Sequence, residues 1–123
     1  MKRKMVALIA LFALVTMLAA CTSQKPVDLD DVEVNLTTEP GTVTAGNPVH
    51  LKAAFTGMTV PDEATVTFDT RIDNKPVLFD ATNEGNGVFT ASFTFPEKGI
   101  QTVYVHFYVD DIHLTKQKWV EVK

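Results

Sequence analysis

From Val32 to the end of the chain, apolar residues recur at every second position, the spacing that puts alternate side chains on one face of a β-sheet. Val32, Val34 and Leu36 alternate with Glu33 and Asn35. Val49, Leu51, Ala53 and Phe55 alternate with His50 and Lys52, and Ala64, Val66, Phe68 and Ile72 with Thr65, Thr67 and Arg71. A short strand around Val77–Ala81 follows, then the row Phe89, Ala91, Phe93 and Phe95. Val103, Val105, Phe107 and Val109 are set against Tyr104, His106 and Tyr108, and a last strand ends at Trp119–Val122. Turn residues separate the segments at Pro40-Gly41, Gly46-Asn47-Pro48, Pro61-Asp62-Glu63, Asp73-Asn74-Lys75-Pro76 and Pro96-Glu97-Lys98-Gly99. The strongest hairpin signal is Asn83-Glu84-Gly85-Asn86-Gly87, because Asn-Gly supplies the positive φ angles of a tight turn. About seven short strands, with no amphipathic helix among them, predict an all-β fold: an immunoglobulin-like antiparallel β-sandwich over residues 32–123. The cysteine pair that joins the two sheets of many such domains is missing, and Gln101 stands where a tyrosine corner is expected. The Phe, Val, Leu and Ile rows must therefore hold the core.

The first residues follow a different pattern. Lys2-Arg3-Lys4 precede the mostly apolar stretch Met5–Met17, whose thirteen residues are too few for a membrane span of about 20. The stretch closes on Leu18-Ala19-Ala20-Cys21. This resembles a bacterial lipoprotein signal with its lipobox. The resemblance implies that residues 1–20 are a signal peptide and that Cys21 is lipidated as the first residue of the mature chain. The protein would then be held by lipid at the extracytoplasmic face of the cell membrane. A cysteine-borne diacylglycerol supplies more than one acyl chain, as stable anchoring requires. Residues 21–31 are the lipidated cysteine and a polar, aperiodic stretch that reads as a flexible tether. Its acidic cluster Asp28, Asp30 and Asp31 reads as solvated linker in preference to a calcium ligand set.

Charge narrows the function classes. The chain has eleven Lys and Arg and fifteen Asp and Glu; losing Lys2, Arg3 and Lys4 with the signal leaves eight against fifteen, a formal charge of −7. Such a chain lacks the clustered cations that nucleic acid or an anionic lipid surface demands, so no nucleic-acid partner is expected and membrane contact should come from the lipid alone. Cys21 is the one cysteine, so lipidation leaves no thiol for a disulfide, a metal or a nucleophile. Ser23 lies in the tether and Ser92 within a strand, neither in a nucleophile-elbow setting. Gly85-Asn86-Gly87 lacks the strand-to-helix context of a phosphate loop. Asp69, Asp73 and Asp80 flank a turn and read as solvated turn residues. The chain reads as non-catalytic.

Candidate chemistry gathers on the final hairpin. With Asp110-Asp111 as a two-residue turn, Val109 faces Ile112, Tyr108 faces His113, Phe107 faces Leu114 and His106 faces Thr115. The apolar pairs support that register. His106 and His113 become diagonal neighbours about 7–8 Å apart at the backbone, close enough for two imidazoles to share one Zn or Cu ion. The same face carries Tyr104 and Tyr108, with Trp119 further along, and Tyr and Trp are enriched at recognition surfaces. His50 could complete a metal site only if its strand end meets this hairpin.

The run Glu84-Gly85-Asn86-Gly87-Val88-Phe89-Thr90-Ala91, then Gly99, Val105-His106-Phe107 and His113, resembles the YtkA-like domain of bacterial lipoproteins. The likeness covers most of residues 32–123 and is best in the last 40. It implies an Ig-like domain and, from some relatives, a link to copper handling or respiratory oxidase assembly. It carries over His106 and His113 as metal ligands and no methionine ligand, because Ile112 and Thr115 stand where members often carry methionine. Loss of soft thioethers weakens a Cu(I) site in particular. Three readings follow. The first is a lipid-anchored module that contacts another envelope protein; the second is a copper- or zinc-binding or chaperone protein; the third is a purely structural envelope component.

Overall fold

The computed structural model describes residues 27–123; the lipobox, Cys21 and the first tether residues lie outside them. Eight strands follow one another: β1 (Glu33–Glu39), β2 (Pro48–Thr56), β3 (Thr65–Ile72), β4 (Lys75–Asp80), β5 (Thr82–Gly85), β6 (Val88–Thr94), β7 (Gly99–Val109) and β8 (Ile112–Val122). They form two antiparallel four-stranded sheets, in the orders β1-β2-β6-β5 and β4-β3-β7-β8. This is the immunoglobulin-like sandwich, with one strand, β4, added to the edge of the sheet that carries the last hairpin. The alternation marks seven segments; the eighth is β5, which hides inside the Asn-Gly hairpin signal because Thr82-Asn83-Glu84-Gly85 has no apolar row of its own. Its turn is Asn86-Gly87, with φ of 54° and 77°. A Cβ on Gly87 would also press on the Phe55 carbonyl.

The alternating rows meet between the sheets. Val49, Leu51, Ala53 and Phe55 face Val66, Phe68, Val103, Val105 and Phe107, all buried, with Phe89 and Phe95 fully enclosed. The rings fall into two groups. Phe55, Phe89 and Phe107 meet at centroid distances of 4.9–6.3 Å. In the second group Phe93 stacks on Phe79 at 4.5 Å and meets Phe95 edge-on at 4.9 Å, while Phe79 touches Phe68. Ala91 and Phe93 point inward as their row predicts but are only half-buried. Thr70 is a polar exception in the core; its hydroxyl donates to the Thr102 carbonyl at 2.9 Å, so the burial leaves no orphaned donor. Gln101 also compensates locally. Its side-chain amide donates to the Glu97 carbonyl at 3.3 Å, the kind of upstream backbone contact that a corner tyrosine makes.

Two features fix where the chain enters the sandwich. Leu29–Asp31 forms a 3-10 turn capped by the Asp28 side chain, so ordered structure begins before Val32. This turn lies against Gly57, whose φ of 88° and lack of a Cβ let the Asp31 carbonyl approach. Beyond β1, the chain crosses to the other sheet: Val43 pairs in parallel with Val122, and Lys123 donates to the Val43 carbonyl at 2.8 Å. Among the described residues, no helix is long and apolar enough to cross a membrane.

Candidate functional site on the outer face of the hairpin sheet

The β7–β8 pairing has the register that the apolar pairs predict. Val109 pairs with Ile112, Tyr108 with His113, Phe107 with Leu114 and His106 with Thr115, around a turn in which Asp110 takes a φ of 48°. Because Val103, Val105, Phe107 and Val109 fill the core, the intervening Tyr104, His106 and Tyr108 must face outward. The same parity on β8 turns His113, Thr115, Gln117 and Trp119 outward. Pairing of β3 with β7 then sets Thr67 beside His106 and Asp69 beside Tyr104.

His106 is the hub of this face. Its Nδ1 lies 3.0 Å from the Thr115 hydroxyl and 3.5 Å from Nε2 of His113, and that hydroxyl lies 3.4 Å from the same Nε2. The other ring nitrogen, Nε2, is 3.4 Å from Oδ2 of Asp69. A carboxylate facing Nε2 favours the proton there and leaves the Nδ1 lone pair turned toward His113. Tyr108 stacks on the His113 ring at a centroid distance of 4.3 Å and 21°, which limits the orientations open to that second imidazole.

Asp69 is therefore not a solvated turn residue. It sits within β3 with a side chain 13% exposed, and its Oδ1 is buried with no hydrogen-bond partner among the described residues. A carboxylate taken from water without a full set of donors leans on those it has, and the His106 ring nitrogen 3.4 Å from Oδ2 is the side-chain donor that faces it. Asp73 and Asp80 do behave as surface groups: Asp73 takes a positive φ in the β3–β4 turn and Asp80 accepts from the Thr67 hydroxyl at 3.0 Å. Asp69 is the site residue that the sequence reading missed; Thr115 stands opposite His106 as the hairpin register predicts. Continuing the β3 alternation through Phe68 and Thr70 would have turned Asp69 to the outer face, but only the long-range β3–β7 pairing brings it to His106.

His50 does not join this site. It stands on β2 of the other sheet, directly across from Ser92 on β6, and its Nδ1 meets that hydroxyl at 2.9 Å. The condition under which it could complete the site is not met, because β2 and β7 belong to opposite sheets.

The histidine pair fits the first half of a metal site. Two imidazole nitrogens bound at about 2.0–2.1 Å with a tetrahedral angle stand about 3.4 Å apart; His106 Nδ1 and His113 Nε2 stand at 3.5 Å. Asp69 on the far nitrogen of His106 matches the carboxylate that commonly orients a ligating histidine. The fit stops at two ligands: among the described residues no three His, Cys, Asp or Glu side chains converge on one point.

The same sheet carries the exposed apolar surface. Among the described residues the exposed large hydrophobics are Val27, Leu78, Ile100, Tyr108 and Trp119, and the last four are on outward positions of β4, β7 and β8. Tyr104, half-buried, lies in the row Leu78–Asp69–Tyr104–Gln117. Comparison with protein-family models, curated proteins and solved structures finds no match to this chain.

Proposed function

We propose that this protein is a non-catalytic, lipid-anchored binding module of the extracytoplasmic membrane face, akin to the YtkA-like lipoproteins, whose working surface is the outer face of the β4-β3-β7-β8 sheet. The observation that carries this reading is that Leu78, Ile100, Tyr108 and Trp119 all point outward from this one sheet, Tyr108 at the hairpin end and Ile100 with Trp119 toward the other. Large apolar and aromatic groups exposed on this sheet and not on the opposite one support a recognition surface here. Lipidation of Cys21 would hold that surface near other envelope proteins. A photo-cross-linker placed at Tyr108 should give a discrete protein adduct in cells, whereas one at Ser92, on the outer face of the opposite sheet, should give none. Equal labelling from both faces, or none from either, would reject the assignment.

A second reading is favoured by the 3.5 Å approach of His106 Nδ1 to His113 Nε2. This pair would hold one Zn²⁺ or Cu²⁺ ion, with Asp69 orienting His106 and the remaining positions left to Thr115, water or a partner's side chain. Copper or zinc handling, including delivery during respiratory oxidase assembly, would then be the task of the same face. The mature chain should bind one ion at micromolar metal, and His106→Ala with His113→Ala should abolish binding while the fold persists, since both rings lie outside the core. Binding that survives the double substitution would end the metal reading and leave the partner reading untouched.

A further inference from the structure

The position of the hairpin relative to the start of the domain carries one step more, and it rests on the lipid-anchor reading above. β1 and β8 lie against one another on the same side of the sandwich. Val43, beyond the bend at residues 40–42 that ends β1, pairs in parallel with Val122 at the end of β8, so β1 runs toward that end and starts at the end where the hairpin turn lies. The other pairings agree. Glu33 stands across from Thr56, the last residue of β2, and Thr65, the first of β3, across from Tyr108. The far end, marked by the Pro96–Gly99 turn, is about 35 Å away, given the rise of about 3.3 Å per residue along an eleven-residue strand.

Only the seven residues Thr22–Asp28 separate Cys21 from the 3-10 turn that packs against Gly57. Even fully extended they reach no more than about 25 Å. We infer that the hairpin end, with Tyr108, His106 and His113, faces the membrane, and that this surface engages the extracytoplasmic part of a membrane-embedded protein. A soluble partner would be met more readily by the far end. The lipid surface itself is a poor occupant, because a mature chain with fifteen carboxylates against eight cations is repelled by anionic headgroups.

The test uses the lipidated full-length protein, in which Cys21 is blocked and a new cysteine is the only free thiol. Asp111→Cys at the hairpin tip and Lys98→Cys at the far end are each labelled with a donor dye and reconstituted into vesicles containing an acceptor lipid. Energy transfer should be clearly stronger from position 111; equal or reversed efficiencies overturn the orientation. A chain found unlipidated in the soluble fraction would instead remove the anchor reading, and this inference with it. For the partner, a photo-cross-linker at Asp111 is activated in cells and the tether is then cut at a protease site inserted after Gln24. An adduct that stays in the membrane through alkaline extraction supports the proposal. An adduct released as a soluble complex, one with phospholipid only, or no adduct at all overturns it.

Discussion

At the scale of single residues, His106 does two things at once because its two nitrogens meet different chemistry. Nε2 faces a mostly buried carboxylate, and Nδ1 faces a hydroxyl and a second imidazole. Asp69→Asn tests that division. The amide fills the same space but removes the charge, so the proton preference of His106 weakens and a bound cation loses a compensating anion. Metal affinity should fall about 10–100-fold, the usual cost of losing an outer-shell carboxylate, and nitrogen NMR of His106 should show the proton redistributed between its two positions. An unchanged affinity would mean that Asp69 serves the sheet and not the site. Acid should weaken binding in the parent protein as well, because a ligating imidazole must be neutral.

At the scale of elements, the β7–β8 hairpin is the unit that builds the site, and its ends are held by different devices. The open edge of β8 carries Lys116 and Lys118 at inward positions among Ile112, Leu114 and Val120, and inward charges of this kind discourage pairing with another strand. The opposite sheet starts from the 3-10 turn held against Gly57. Gly57→Ala should destabilise the domain by more than about 1 kcal/mol, since its Cβ meets the Asp31 carbonyl and its φ is positive. Faster amide exchange at Asp31 and Val32 would report the loosened turn, and an unaltered denaturation midpoint would show that the turn adds nothing. These elements differ in how far the sequence reveals them. The hairpin register was readable because a two-residue turn and two apolar pairs are local information. β5 was hidden because its four residues carry turn chemistry and no apolar alternation. In sequence Asp69 reads like Asp73 and Asp80, and whether His50 reaches the hairpin stays open. Both points turn on sheet membership, a long-range property that decides what a side chain meets.

At the scale of the whole molecule, a core without an inter-sheet disulfide rests on two groups of phenylalanines, and the candidate site lies entirely outside it. Folding and metal binding should therefore be separable. Phe89, fully buried and in contact with Phe55 and Phe107, should cost about 3–5 kcal/mol when changed to Ala, with the half-buried Phe93 costing less. The metal-free parent, kept in chelator, should still unfold cooperatively in urea, because the buried residues lie apart from the histidine pair. Adding metal should raise its midpoint. An ion that binds the native hairpin and not the unfolded chain stabilises by mass action, about 2.7 kcal/mol at a concentration 100 times its dissociation constant. The histidines are seven residues apart and are brought to 3.5 Å only by the β7–β8 register, so the unfolded chain offers no equivalent pair at fixed spacing. The shift should accordingly vanish in the His106→Ala/His113→Ala variant and persist in Phe89→Ala, whose midpoint starts lower but rises by the same amount. A metal-dependent rise in the double histidine variant would place the ion elsewhere on the domain, and no rise in the parent would leave the exposed aromatic face as the sole basis for its function.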